Sequence, residues 1–190
     1  MIANLAAGVR TFTSNAFLVS GERTALVDAG ANFDVVSRIE ERTDDVDALV
    51  LTHTHPDHVG NLDDVVDAFG VSVYGYDPDV VDERIEDGDT LRIGDHVYEA
   101  LYTPGHAPDH LCFYSSDAGV LFAGDLLFGN GGFGRTDLAG GDHDQLVESI
   151  DRVTEYVGEG LAELHAGHGP SIVDEPHRHV TLARRMAAMA

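Results

Sequence analysis

"VDALVLTHTHPDHVGN", residues 46–61, decides how this chain is read. Its first half is a short apolar run of strand length, and its second half crowds His53, His55, Asp57 and His58 into six positions. Imidazoles and a carboxylate packed this closely gain nothing as core, because each polar group taken out of water must be paired at a cost. They have the character of metal ligands at the end of a strand.

Working outward, "DHVGNLDDVVDAFG" (57–70) places Val59, Leu62, Val65, Val66 and Phe69 at helical spacing and stops on Gly70, which predicts a helix over 57–70. Upstream, "NAFLVSGERTALVDAG" (15–30) predicts two strands about a Gly-containing turn. "NFDVVSRIEERT" (32–43) predicts a helix capped by Asn32 or Asp34. Further strands are expected within 71–76, 89–103, 110–116, 119–125 and 161–169, with helices over 142–157 and 175–189. Strands and helices mix in two similar halves, which implies two sheets with helices outside them, in one domain over residues 1–190.

Three later strands each run into another candidate ligand. "YTPGHAPDH" (102–110) brings His106, "LFAGDLLFG" (121–129) brings Asp125, and "LHAGHGP" (164–170) brings His168. Loops at the strand ends of one sheet edge converge, so all seven side chains can meet there. Five imidazoles and two carboxylates without a thiolate suit zinc, iron or manganese at a site with an open position.

Composition narrows the setting. The single cysteine, Cys112, excludes an intramolecular disulfide and fits a reducing interior. "MIANLAAGVRTFTSNAFLVSG" (1–21) lacks the basic and apolar stretches of a signal peptide, and no run approaches a membrane span, so a cytoplasmic protein without membrane contact is expected. Acidic residues number 34 against 11 basic ones, a net charge of −23, and every basic residue is arginine. Such a surface attracts phosphate backbones poorly, which argues against a nucleic-acid partner. Scattered acid without lysine also fits a salt-rich cytoplasm, where self-repulsion is screened over a few ångströms.

With these motifs in this order, the chain resembles the metallo-β-lactamase superfamily. The His-X-His-X-Asp-His signature is met by His53, His55, Asp57 and His58, and "TPGH", "GD" and "GHG" follow in sequence. The resemblance implies an α/β four-layer αββα sandwich with metals at one edge. "TPGHAPDHLCFY", "FAGDLLF" and "GGFGRTDLAGGDHDQLVESI" are similar to the short glyoxalase II-like thioester hydrolases. Carried over by position, the resemblance implies a first cation on His53, His55 and His106 and a second on Asp57, His58 and His168, with Asp125 bridging. Two zinc ions, or iron or manganese, would lower the pKa of a shared water towards neutrality, and Asp57 and Asp125 would be the catalytic carboxylates. Asp28 would orient a ligand histidine from behind, His110 would support the site, and Arg135 would meet a substrate anion.

The expected activity is therefore hydrolysis of a small thioester, such as a hydroxyacyl-thiol. The alternative of the same fold is a mononuclear iron persulfide dioxygenase using a histidine of the first motif, His106 and Asp125. A nuclease and an inactive metal-binding protein are weaker readings. Oligomeric state is open.

Overall fold

The computed structural model describes residues 1–190. One sheet runs in the order β1 (Ile2–Asn4), β2 (Phe17–Val19), β3 (Ala25–Val27), β4 (Ala48–Val50), β5 (Val73–Gly75) and β6 (Glu83–Arg84). The other runs β11 (Glu163–Ala166), β10 (Val120–Gly124), β9 (Leu111–Ser115), β8 (His96–Tyr102) and β7 (Thr90–Ile93). Five α-helices join them: α1 (Val35–Glu40), α2 (Pro56–Val59), α3 (Leu62–Phe69), α4 (His143–Val157) and α5 (Pro176–Ala187).

Alternation along the strands builds the layers. Ala25 and Val27 of β3, with Ala48 and Val50 of β4, meet Leu111 and Phe113 of β9 and Phe122 of β10 in a core shared by the two sheets. Between them, Leu26 and Leu49 face outward onto Val35 and Ile39 of α1 and Val65 of α3. On the far side Cys112, Leu121 and Ala123 pack under Leu146, Ile150 and Val153 of α4 and Val180 and Ala183 of α5. Each of the valine, leucine, isoleucine and phenylalanine side chains among them contributes about 1.5–3 kcal/mol when fully buried, so two-faced strands hold all four layers together. This is the αββα arrangement. No helix is long and apolar enough to cross a membrane.

Sheet direction sets where the loops go. β3, β4 and β5 run parallel, β8 and β10 each lie antiparallel to β9, and β11 runs parallel to β10. The C-terminal ends of β8, β10 and β11 therefore emerge at one end of their sheet. The segments that follow them carry His106, Asp125 and His168.

Two sequence expectations are corrected. The helix expected over 57–70 is two helices, because Gly60 and Asn61 interrupt it. A β-carbon on Gly60 would lie 2.5 Å from that of Ala31, and the Asn61 amide donates to the Ala29 carbonyl at 3.1 Å, so the break docks the chain against the end of β3. The 89–103 stretch is a hairpin, β7 and β8, turning through Gly94 at φ 62°. Of the two caps expected for α1, Asp34 is the one used, its carboxylate accepting from the Ser37 N–H at 3.0 Å.

Cys112 is fully buried, and burial pushes its thiol up to about 12. Since the thiolate is the reactive form, Cys112 should resist maleimide in the native protein and react fully after unfolding. Mass spectrometry after labelling with and without denaturant reads this, and rapid native labelling would contradict it.

Candidate metal centre

All seven strand-end side chains meet at one rim of the sandwich, in overlapping groups. His53 Nε2 lies 3.1 Å and His106 Nε2 lies 2.9 Å from His55 Nδ1. A second group is formed by Asp57, His58 and His168, with His168 Nε2 3.0 Å and His58 Nε2 4.0 Å from Asp57 Oδ2. Asp125 lies between the groups: its Oδ2 is 3.5 Å from His106 Nε2 and 3.4 Å from His168 Nε2, and its Oδ1 is 3.4 Å from His58 Nε2.

The far side of each ring shows which nitrogen is free. His106 Nδ1 is 2.8 Å from the Arg135 carbonyl, which can only accept, so Nδ1 carries the proton. Asp28 Oδ1 accepts from the Thr52 N–H, and its Oδ2 accepts from the Thr52 hydroxyl and from His58 Nδ1, each at 2.8 Å. The threonine proton is thereby spent, so His53 Nδ1 must donate to Thr52 Oγ1 at 3.1 Å. Lone pairs on His53 Nε2 and His106 Nε2 then both face His55 Nδ1, which holds at most one proton. A cation satisfies all three nitrogens at once, and the His53 and His106 rings are braced from behind as metal-bound histidines are. In the second group the buried His58 Nε2 and Asp125 Oδ1 have no hydrogen-bond partner. The donor set fits two divalent metals.

Charge follows the same division. Burial opposes charge on His58, but the Asp28 carboxylate and Asp125 outweigh it and raise the ring to about 10. Hydrogen bonds to Asp125 and Asp57 raise His168 to about 9. Burial favours the neutral acid at Asp125, yet His168 and His58 hold it far below the usual carboxylate range. His53 is driven well below its ordinary value by burial and by the neighbouring His58. Metal-free, the second group thus carries its positive charge as protons, which cations displace on binding.

The supporting residues are also placed. Fully buried His110 accepts the Asp125 N–H at 3.0 Å through Nε2, while its Nδ1 faces Thr103 Oγ1 at 2.8 Å. Burial first, then His106, depress its pKa to about 3, which preserves Nε2 as an acceptor. Arg135 is exposed, and its guanidinium clamps Asp137 through two contacts of 2.6 Å. Arg135 also lines the cleft over the ligands, and its main-chain carbonyl holds the His106 ring. Asp28 adopts φ 58°, a backbone conformation that asparagine also tolerates. Asp28→Asn should weaken metal binding about 10–100-fold, by analogy with other outer partners of ligating histidines, without unfolding the chain. Competitive chelator titration measures this, and unchanged affinity would remove Asp28 from the centre.

A cleft of about 670 Å³ opens over the ligands, walled by Phe12, Phe128, Phe133 and Leu138. Phe12 is largely exposed and stacks on His168, with ring centroids 5.9 Å apart and planes inclined by 22°. The sequence pattern signals neither Phe12 nor Phe128, because they lie in loops without periodicity. Thr52, next to the first ligand, also escapes notice.

The sequence matches the model of the Metallo-beta-lactamase superfamily over residues 9–81 and 73–168. It is similar to the probable metallo-hydrolase YqgX of Bacillus subtilis, 33% identical over 81% of this chain and 83% of that protein. The hydroxyacylglutathione hydrolase GloC of Haemophilus influenzae is 31% identical over 85% of this chain and 88% of its own length. Among solved structures, TTHA1623 in a di-iron-bound form superposes with a TM-score of 0.75 at 28% identity, covering 98% of this chain and 96% of the other. With the fold, the order of the strand-end ligands and the family match in agreement, the chain belongs to the metallo-beta-lactamase superfamily.

Proposed function

We propose that the protein is a dinuclear, zinc-dependent hydrolase of thioesters of small thiols, working in the cytoplasm. The observation that carries this reading is the place of Asp125, with one carboxylate shared between two complete donor groups. The name of the Haemophilus relative supports the thioester class.

In this reading His53, His55 and His106 hold one cation, Asp57, His58 and His168 hold the other, and Asp125 spans both. Two such cations supply Lewis acidity towards a carbonyl and a water made acidic enough to attack near pH 7. The chain's own task is orientation. Asp28, Thr52 and the Arg135 carbonyl fix the rings, and His110 fixes the Asp125 backbone. The aromatic wall of the cleft receives the acyl group and keeps bulk water from it. A thiol leaving group, with a pKa of about 8.5, departs as thiolate without a dedicated acid.

A mononuclear iron dioxygenase would leave Asp57, His58 and His168 without a task, although they form a complete group. Elemental analysis of purified protein, with assays on a hydroxyacyl thioester, a β-lactam and oxygen uptake with a persulfide, separates the readings. About two zinc ions per chain and thioester turnover are expected. One iron with oxygen uptake would replace the proposal, and β-lactam turnover alone would move the substrate class.

A further inference from the structure

Asn15 lies just before β2, nearly buried at 9% exposure, and belongs to none of the donor groups. Its side-chain amide donates to the carbonyls of Ala166 and Gly169, each at 2.8 Å, and its backbone N–H donates to the Gly167 carbonyl at 2.6 Å. Three hydrogen bonds therefore enter the four-residue turn that carries His168. The amide cannot flip, because Asn15 Oδ1 accepts from Asn4 Nδ2 at 2.8 Å. From the other side, the Gly167 N–H donates to the Gly124 carbonyl at 2.7 Å. The preceding Ser14 N–H donates to the Asp57 carbonyl at 3.1 Å. Two adjacent residues thus grip the main chain at two ligands of the second group. None of these bonds reaches His53, His55 or His106.

We infer that Asn15 is a positioning residue for the second cation group: by closing the 166–169 turn it holds His168 in register with Asp57 and His58. The inference rests on the two-cation reading. Its physical basis is that both amide protons are spent on carbonyls at opposite ends of one turn. Without them those carbonyls lose their partners, and the turn is free to open towards the cleft.

Asn15→Asp keeps the size and the acceptor facing Asn4 but loses both donors, and Asn15→Ala removes the group. Metal-free wild type and variants would be titrated with cobalt(II), followed by visible absorption. Hydrogen exchange of the segment 166–169 would be read in the same metal-free proteins. Wild type should take up two equivalents. Both variants should bind the first normally and the second about 10–100-fold more weakly, with faster exchange confined to 166–169. Unchanged affinity for the second equivalent overturns the inference. So does an equal weakening of both equivalents, or loss of the fold in both variants, since either marks a general scaffold role. If wild type binds only one equivalent, the two-cation reading fails instead. Exchange still judges the clamp in that case, and an unchanged rate at 166–169 refutes it.

Discussion

Replacing Asp125 with alanine should abolish turnover and empty both halves of the centre. The carboxylate stands within 3.5 Å of nitrogens from His58, His106 and His168, so its loss removes a donor from each group. It also leaves His58 and His168, both raised by that carboxylate, with less reason to stay in place. A decrease in activity of roughly a thousandfold or more is expected, at least the effect of losing one preorganised electrostatic contact. Metal content should fall together with activity. The backbone remains anchored, because its N–H is bonded to His110, so circular dichroism should be unaltered. A variant that keeps two cations and loses less than about tenfold would refute the bridging role of Asp125.

Gly167→Ala should damage the site almost as severely without removing any ligand. A β-carbon there would collide with Asp125 Oδ1 and lie 2.8 Å from His58 Cε1. Asp28 braces His58 from behind, and with its backbone held by His110 the Asp125 carboxylate can yield only by turning away from His58, His106 and His168. Overpacking of this kind costs about 1–3 kcal/mol, and in a chain of this size each kcal/mol lowers the melting temperature by about 2–4 °C. The larger effect is expected in metal occupancy, where the second cation should be lost first. Differential scanning fluorimetry with elemental analysis reads both, and wild-type occupancy in the variant would contradict the close packing described.

The centre is legible in the sequence because strand-end geometry turns a linear motif into a place. His53, His55, Asp57 and His58 follow a run that can only be a buried strand, and His106, Asp125 and His168 repeat that context. Pairing of the sheets then makes their loops converge. Less is legible where long-range contacts decide the outcome. The break at Gly60 depends on Ala31, and Asn15 works on carbonyls 151 and 154 residues away. β1 is only half-buried and β6 is exposed, so neither carries the buried apolar run that marks β2, β3 and β4. Arg135 shows another limit: it lines the cleft while pairing with exposed Asp137, and its place in the sequence does not say which contact it serves.

Each donor group draws on both sheets. His53, His55, Asp57 and His58 follow β4 of one, whereas His106 and His168 follow β8 and β11 of the other. A bound ion is therefore a crosslink as well as a reagent, fastening segments that lie far apart along the chain. Binding to the native state alone adds stability that grows with the logarithm of free metal. In the two-cation reading the rim is also a seam closed by its ions, and stripping the metal would loosen the protein along that line.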